Sequence, residues 1–529
     1  MIRKLWPRFG VLVVVAVFAA AVAAGCGGGG SSSSKGSSGG GGGETLVDGT
    51  TDSVVNVDPA GNYDFGSATV DYQIFQHLLE AGPGDLKPHP VLATKCDFQS
   101  GLTTYVCELR KNVKFHNGAT MTSADVVWSF NRVTAIKDPS GIYTLLSNLE
   151  DVRAQGPAKV VFHLKAPQAT WPQILTAGAA QIVPKDAYPA KKILPNAEPQ
   201  YGTGPYQLTK FEPGQQAVFK KFDDYWGEAP KTDNVIIRYY TKSSAMKLAL
   251  ENGSLDMAFR AFTPTELLSL KKESGLTVHE GAGSEIRYLV LNVGRPPTDQ
   301  LAVRKAIAYL MPRKEIVDRV YSGTVKPLYS MVPAGLPGHA DAFKTEYGDS
   351  PSTSKARSAL AAAGVSTPVK LTLWYTPTHY GDSSADEFAE IQRALEGSGL
   401  FKVALKSAEW ATYSNALGKV YGAFQLGWFP NYVDAEDYLL PFYSSKSNFT
   451  SNNYKSATMD SLLTREQATE SGSARNGVIE QAQTLAAKDT PVIPYWQGSM
   501  IAVAQKNVHG IDQTLDPTFI MRFWLISKS

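Results

Sequence analysis

Reactive side chains are few in this 529-residue chain, and most are scattered. Its eight histidines include no His-Glu-x-x-His pair that would set two imidazoles on one helix face for zinc, and no Gly-x-Ser-x-Gly elbow presents a serine nucleophile. Ser269-x-x-Lys272 and Ser352-x-x-Lys355 have the spacing of a serine–lysine pair, but no Lys-Thr-Gly accompanies them and chance accounts for both. The cysteines say more. Cys96 and Cys107 sit in a segment that alternates on either side of Gly101. If Gly101-Leu102 forms a two-residue type II′ turn, the register sets Phe98 opposite Tyr105 and Cys96 opposite Cys107. Opposed Cα atoms in such a ladder lie about 4.5–5.5 Å apart, within disulfide range. A structural Cys96–Cys107 bond is therefore expected, provided the protein is exported to an oxidising compartment.

The N-terminus supplies that address. Met1 to Arg8 is a short basic segment, Phe9 to Ala24 is an apolar run of sixteen residues, and small residues lead to Cys26. The run falls short of the ~20 residues that span a bilayer, so residues 1–25 are expected to be a signal peptide. Val22-Ala23-Ala24-Gly25-Cys26 resembles a bacterial lipobox, in which cleavage exposes a cysteine for lipidation, with Ala23 where a branched apolar residue is usual. Residues 27–43 are almost entirely Gly and Ser, with Lys35 the one charge, and have no apolar surface to bury. Residues 26–43 are thus expected to be a lipid-anchored tether with a reach of roughly 20–25 Å. A phosphate-cradling glycine loop is excluded, because no Gly-Lys-Ser/Thr follows and no strand precedes. The expected location is the outer face of the cytoplasmic membrane.

Composition narrows the remainder. At 43% hydrophobic and 19% charged, the chain can bury a core, which excludes a disordered or fibrous protein. Setting aside Arg3, Lys4 and Arg8, 48 cations face 49 anions, so no surplus of positive charge exists for nucleic acid. The length predicts more than one lobe, since single cores stop growing near about 250–300 residues. Val70, Ile74, Phe75, Leu78 and Leu79 have helical spacing. Thr122-Ser123-Ala124-Asp125 reads as a helix start with Thr122 as N-cap, followed by the stripe Val126, Val127, Phe130 and Val133. Strands are expected at 159–164, 216–222 and 235–240. From about residue 285, strands at 287–292, 369–375, 401–406 and 423–428 alternate with helices at 301–311, 354–363 and near 385–395, the second stopped by Gly364. That rhythm predicts an α/β half with a largely parallel sheet. No repeat of 20–50 residues occurs.

The block 104–118, ending Val113-Lys114-Phe115-His116-Asn117-Gly118, and its continuation Thr122-Ser123-Ala124-Asp125-Val126-Val127-Trp128-Ser129-Phe130 resemble the signature of the extracellular solute-binding protein family 5, the peptide- and nickel-type receptors of bacterial ABC importers. Further matches follow in order: Gly202-Thr203-Gly204-Pro205-Tyr206, Asp224-Tyr225-Trp226-Gly227, Asn252-Gly253-Ser254-Leu255-Asp256-Met257, Asn292, Val303-Arg304-Lys305-Ala306-Ile307-Ala308-Tyr309, Tyr321-Ser322-Gly323, and Lys355-Ala356 to Ala363-Gly364. The resemblance runs from about Val47 to Trp524. It implies an α/β, two-lobed clamshell of the periplasmic-binding-protein type (type II, large cluster) with an extra subdomain. Carried onto this chain, lobe one is 44–75, 186–285 and 496–529, the inserted subdomain is 76–185, and lobe two is 286–495.

Such a receptor closes on a solute and shuts it away from water, so the solute's polar groups need protein partners while rings supply contact area. The best candidate wall is the strand end and loop 426–438, with Trp428, Tyr432, Asn431 and Asp434 facing the solute. Peptide-binding members carry an Asp three residues after this Trp for the peptide ammonium; Asn431 stands there, and an amide cannot make that charge-assisted bond. Asp434 or Asp437 would then substitute, or the solute is of another kind. Arg260 and Phe262, just after the Asp256-Met257 match, and Tyr72 and Trp410 complete the expected contacts, while His116 is expected to serve packing. The resemblance implies a monomer that holds a small polar solute, a short peptide foremost, for ABC permease subunits, with no metal or cofactor and no catalysis. A secreted hydrolase and a non-transport envelope receptor on the same fold are the alternatives; turnover would reveal the first, and the absence of neighbouring permease genes the second.

Overall fold

The computed structural model describes residues 44–260, 262–446 and 449–529. The expected signal peptide, Cys26 and the tether lie outside them. Among the described residues, no helix is long and apolar enough to cross a membrane.

Two strands organise the molecule. Leu276–Leu291 and Val492–Gln505 run antiparallel and pair from Leu276↔Gln505 to Ala282↔Ser499 and again from Ile286↔Gln497 to Val290↔Val492, the second stretch with a shift between Arg287 and Tyr288. Between Ala282 and Ile286 the register breaks. Backbones approach closely there: a Cβ at Gly283 would stand 2.5 Å from the Gly498 carbonyl oxygen, so glycine is a steric requirement. Residues 286–291 are all buried, as befits a strand covered on both faces.

The remaining strands extend this pair on both flanks into an eleven-stranded mixed sheet. On one flank Ala423–Trp428 pairs antiparallel with Leu276–Leu291, and Val369–Tyr375 and Phe401–Ser407 follow in parallel. On the other, Met257–Phe259 pairs antiparallel with Val492–Gln505, then Thr45–Thr50 and Asn234–Tyr239 run parallel, and Gln216–Lys221 and Tyr206–Glu212 close the edge antiparallel. The largely parallel sheet expected for the C-terminal half is therefore mixed. The chain enters and leaves that half along the two long strands rather than through crossover helices. Apolar side chains fall into several buried clusters, one containing Leu289, Ile307 and Phe388, another Val70, Phe75 and Phe219.

A separate four-stranded antiparallel sheet is formed by Ala93–Ser100, Thr104–Leu109, Lys159–Leu164 and Leu149–Ala154. Its first hairpin has the expected register, Cys96↔Cys107 and Phe98↔Tyr105, and the disulfide is formed. The Phe98 and Tyr105 rings meet edge to face at 4.7 Å. The turn differs from expectation. Gly101 and Leu102 both have positive φ, 47° and 58°, and Thr103 N donates to Ser100 O at 2.9 Å, a type I′ geometry, with a register slip between Phe98 and Ser100.

Helix Ser123–Ile136 begins as the sequence predicts, with the Asp125 carboxylate accepting from Thr122 N at 2.9 Å. The helical spacing from Val70 to Leu79 yields only helix Phe65–Ile74, and Leu79 enters the strand Leu79–Ala81. The reason is tertiary: Gly204 N donates to the Ile74 carbonyl at 2.8 Å, capping the helix from outside. His116 belongs to the same junction, where its Nδ1 accepts from Gly202 N at 3.3 Å and its Nε2 lies 3.0 Å from Gly204 O. Burial pushes this imidazole down to about 4, so it is neutral at pH 7 and packs, as expected.

Arg132 of that helix reaches Asp58, donating Nη1 to Oδ1 at 2.7 Å and Nη2 to Oδ2. Asp58 also accepts from Leu194 N at 2.6 Å and Ala60 N at 3.0 Å, and both side chains of the pair are almost wholly buried. Removing one partner strands a buried charge, at a cost of roughly 3–5 kcal/mol. Asp58→Ala is expected to lower stability in urea by that amount; a loss under about 1 kcal/mol would contradict the role of this pair.

Candidate binding cleft

A cleft of about 1410 Å³ opens at the break between the long strands. Glu285, Arg287, Trp496, Gly498 and Ser499, all beside that break, line it. One flank contributes Asp52, Asp64, Phe65, Tyr72, Arg260 and Phe262; the other contributes His379, Tyr380, Trp410 and the loop that follows strand Ala423–Trp428.

That loop is shaped by Asp437. Its carboxylate accepts from Trp428 Nε1 at 3.1 Å, Asn431 N at 2.8 Å and Asn431 Nδ2 at 2.8 Å. The Nδ2 bond uses one of the two Nδ2 N–H groups, so Asn431 retains its Oδ1 acceptor and one N–H donor. Burial outweighs the three hydrogen bonds and pushes the Asp437 carboxyl up to about 7. Trp428 lines the cleft yet is also core, 5% exposed and edge-on to Phe442 at 5.0 Å and Phe449 at 4.6 Å. Tyr432 likewise lines the cleft while packing into the apolar cluster that contains Phe115 and Phe130.

Asp434, expected at the site, is elsewhere. It forms a bidentate pair with Arg475 at 2.9 and 2.6 Å and caps the turn Ala435–Tyr438 through Glu436 N at 2.9 Å, so neither oxygen is free for a solute. Arg475 also pairs with Glu466. The carboxylates of Asp434, Glu436 and Glu466 come within 4.8 Å of one another, and Arg475 supplies the positive charge among them. This is an ion-pair cluster that fixes the back of the loop.

The other expected residues line the cleft together. Tyr72 donates its hydroxyl to Thr176 O at 3.2 Å, and Phe262 is half-buried. Trp410 stacks face to face on His379 at 3.7 Å. Burial, then the nearby Arg287, pushes the His379 imidazole down to about 4, so the stack is neutral at pH 7. Arg260 occupies a left-handed conformation, φ 67°, with its N–H held by Ile501 O at 3.0 Å. Its guanidinium lies 4.1 Å from the Phe65 ring and 5.1 Å from Phe429.

Arg287 escaped the sequence reading. It is 3% exposed, salt-bridged to Glu285 at 2.6 Å and set over Tyr380 at 4.3 Å and Trp496 at 4.8 Å. A readable signal existed: a lone cation inside the otherwise apolar stretch 286–291 needs a reason to be buried. Ring faces, guanidinium groups and the Asn431 amide equip the cleft to enclose and orient a polar solute.

The profile of the bacterial extracellular solute-binding proteins, family 5, middle region, matches residues 87–450. The chain belongs to this family. Among the relatives of this family 5 protein, a dipeptide-binding protein of Pseudomonas aeruginosa is 27% identical over 478 residues, covering 85% of this chain and 88% of that one. A glutathione-binding protein of Salmonella choleraesuis is 26% identical over 474 residues, covering 86% and 89%. Among solved structures, the substrate-binding protein CtaP of Listeria monocytogenes matches with a TM-score of 0.81 at 21% identity, covering 92% of this chain and 99% of that one. DppA of Helicobacter pylori, in complex with the peptide STSA, gives 0.76 at 22% identity over 92% and 98%. The fold is the two-lobed α/β fold of the periplasmic binding proteins, as the resemblance implied.

In this family 5 protein the Asp437 carboxyl titrates higher folded than in an unfolded chain. Protonation therefore favours the fold: the contribution is complete below about pH 4 and is lost as pH rises towards 7. Asp437→Asn is expected to flatten that part of the profile of melting temperature against pH, and an unchanged slope between about pH 4 and 7 would show that Asp437 does not cause it.

Proposed function

We propose that this chain is the solute-binding lipoprotein of an ABC importer. It captures a short peptide or a similar small polar solute between its lobes and delivers it unaltered to the permease. One observation carries this reading: recognition groups from both flanks of the long strands, Phe65 and Arg260 on one side, Trp428 and Asn431 on the other, converge on a single cleft. A ligand favours a closed state only through contacts it gains there, and a solute that touches both sides gains them on closure. The volume exceeds the ~300–1,000 Å³ of an ordinary small-molecule site and accommodates a short peptide with bridging water. The dipeptide- and glutathione-binding relatives support a solute of that class. The lobes divide at the long strands, lobe one comprising 44–75, 186–285 and 496–529, lobe two 286–495, and the subdomain 76–185. Lipid on Cys26 holds the monomeric protein at the outer face of the cytoplasmic membrane, beside its permease.

Two measurements test this. Small-angle scattering of the full-length protein in detergent, with and without a mixed dipeptide and tripeptide library, is expected to show a smaller radius of gyration with the library, and native mass spectrometry to show the captured peptide intact. Identical curves with no captured mass, or conversion of the peptide, would overturn the proposal. Cys26→Ser is expected to move the protein from the membrane to the soluble fraction; retention on membranes would remove the anchor.

A further inference from the structure

We infer that this cleft, taken as a solute receptor's, selects solutes with a lysine-type side chain, whose primary ammonium enters a corner formed by Asp71, Gln173 and Gln181. All three line the cleft. Two approaches bring their elements together. Tyr72, beside Asp71 on helix Phe65–Ile74, donates its hydroxyl to Thr176 O at 3.2 Å, and a Cβ at Gly178 would stand 3.7 Å from Oδ1 of Asn62, the partner of Asp71. Segment 173–181 therefore faces the end of that helix.

The corner is short of donors. Asp71 is 1% exposed; its Oδ2 accepts from Asn62 Nδ2, while its Oδ1 is buried without a hydrogen-bond partner. Gln173 Oε1 and both polar side-chain atoms of Gln181, itself 2% exposed, are in the same condition. Three oxygens therefore want a donor, and an ammonium brings three N–H groups and no acceptor. Gln181 Nε2 remains for a carbonyl of the solute. Buried polar groups left unmet cost free energy, and a charged donor from a ligand removes that cost. Burial, with Asp64 and Asp58 adding to it, raises the Asp71 carboxyl well above its ordinary range, and a cation beside it favours the charged form. Because the acceptors are buried, what reaches them is an ammonium at the end of a slender chain rather than one seated on the solute's own main chain.

The wall of the cleft has the matching sign. Among the described residues its cations are Lys242, Arg260 and Arg287. Arg287 is paired with Glu285 at 2.6 Å, and Arg260 stands 3.6 Å from Asp52. Lys242 alone is then set against Asp64, Asp71, Glu80, Glu266 and Asp382. Backbone N–H groups hold three of these acids: Ser67 N donates to Asp64 at 2.8 Å, His77 N to Glu80 at 3.2 Å and Thr263 N to Glu266 at 2.8 Å. Such bonds orient a carboxylate without cancelling its charge, so the cleft stays negative and draws cationic solutes.

The test uses full-length protein in detergent and two synthetic tripeptide libraries with free termini, one containing lysine and one containing Nε-acetyl-lysine in its place, both otherwise free of basic residues. Each keeps the α-ammonium, so the contrast reads the side chain alone. Native mass spectrometry is expected to show the lysine library captured over the acetylated one by roughly tenfold or more, and Asp71→Asn, at unchanged melting temperature, to bring that ratio to about one. Gln173→Leu, at a half-buried position of the corner, is expected to lower the ratio severalfold and carries the test if Asp71→Asn does not fold. Equal capture of both libraries by the unaltered protein overturns the ammonium corner and leaves the receptor reading standing. A lysine preference that survives these substitutions overturns the role of this corner. Capture from neither library overturns the peptide reading and the corner together.

Discussion

The structure depends on one interrupted ladder. Every buried main-chain N–H and C=O needs a partner, and two long antiparallel strands satisfy that need with their ladder except in the stretch between Ala282 and Ile286 and at a shift between Arg287 and Tyr288. Between Ala282 and Ile286, side chains take over. Gln497 Nε2 donates to Gly283 O at 2.7 Å, Tyr438 donates its hydroxyl to Ser284 O at 2.8 Å, and Ser284 Oγ donates to Pro517 O at 2.6 Å. Because these bonds replace the ladder locally, the strands can separate their side chains from one packed layer and present Glu285 and Arg287 to a cleft. Pairing on either side holds both halves of the sheet to the same two segments, and the cleft opens where that pairing is interrupted.

Buried carboxylates do most of the positioning around it, and rings do most of the touching. Asp437 folds the aromatic loop back on its strand, Asp434 with Arg475 anchors the loop from behind, and Glu387 fixes Trp496 and Tyr321 beneath Arg287. None of the three lines the cleft. Charges placed behind a wall orient it without competing for the solute's own polar groups, and each is satisfied by several donors, which makes its burial tolerable.

What the sequence disclosed follows from how local each feature is. Lys159–Leu164 and Val369–Tyr375 carry their strand character in β-branched and aromatic residues, Ala423–Trp428 in a short apolar run, and all three were readable to the residue. The Cys96–Cys107 pairing was readable because both arms of its hairpin alternate, whereas the turn type was not, since nothing in the sequence marks Leu102 for positive φ. Helix Phe65–Ile74 stops where Gly204, distant in sequence, meets it. The same distance hid the fate of Asp434, whose partner Arg475 lies on another helix and leaves no mark within the loop. The aromatic wall was legible from its composition; the approach of Arg260 and Arg287 to Phe429 needed the fold to bring strands together.

A second seam joins the loop after strand Ala423–Trp428 to residues 169–170. Thr170 donates its hydroxyl to Glu436, Gln467 Nε2 donates to the other oxygen of Glu436 at 2.8 Å, and Ala169 N donates to Gln467 O at 2.8 Å. Glu436 is fully buried, and burial raises its carboxyl above the ordinary range. Separating residues 169–170 from Glu436 and Gln467 would strip those bonds and wet the carboxyl, so this seam resists being prised apart independently of anything held in the cleft.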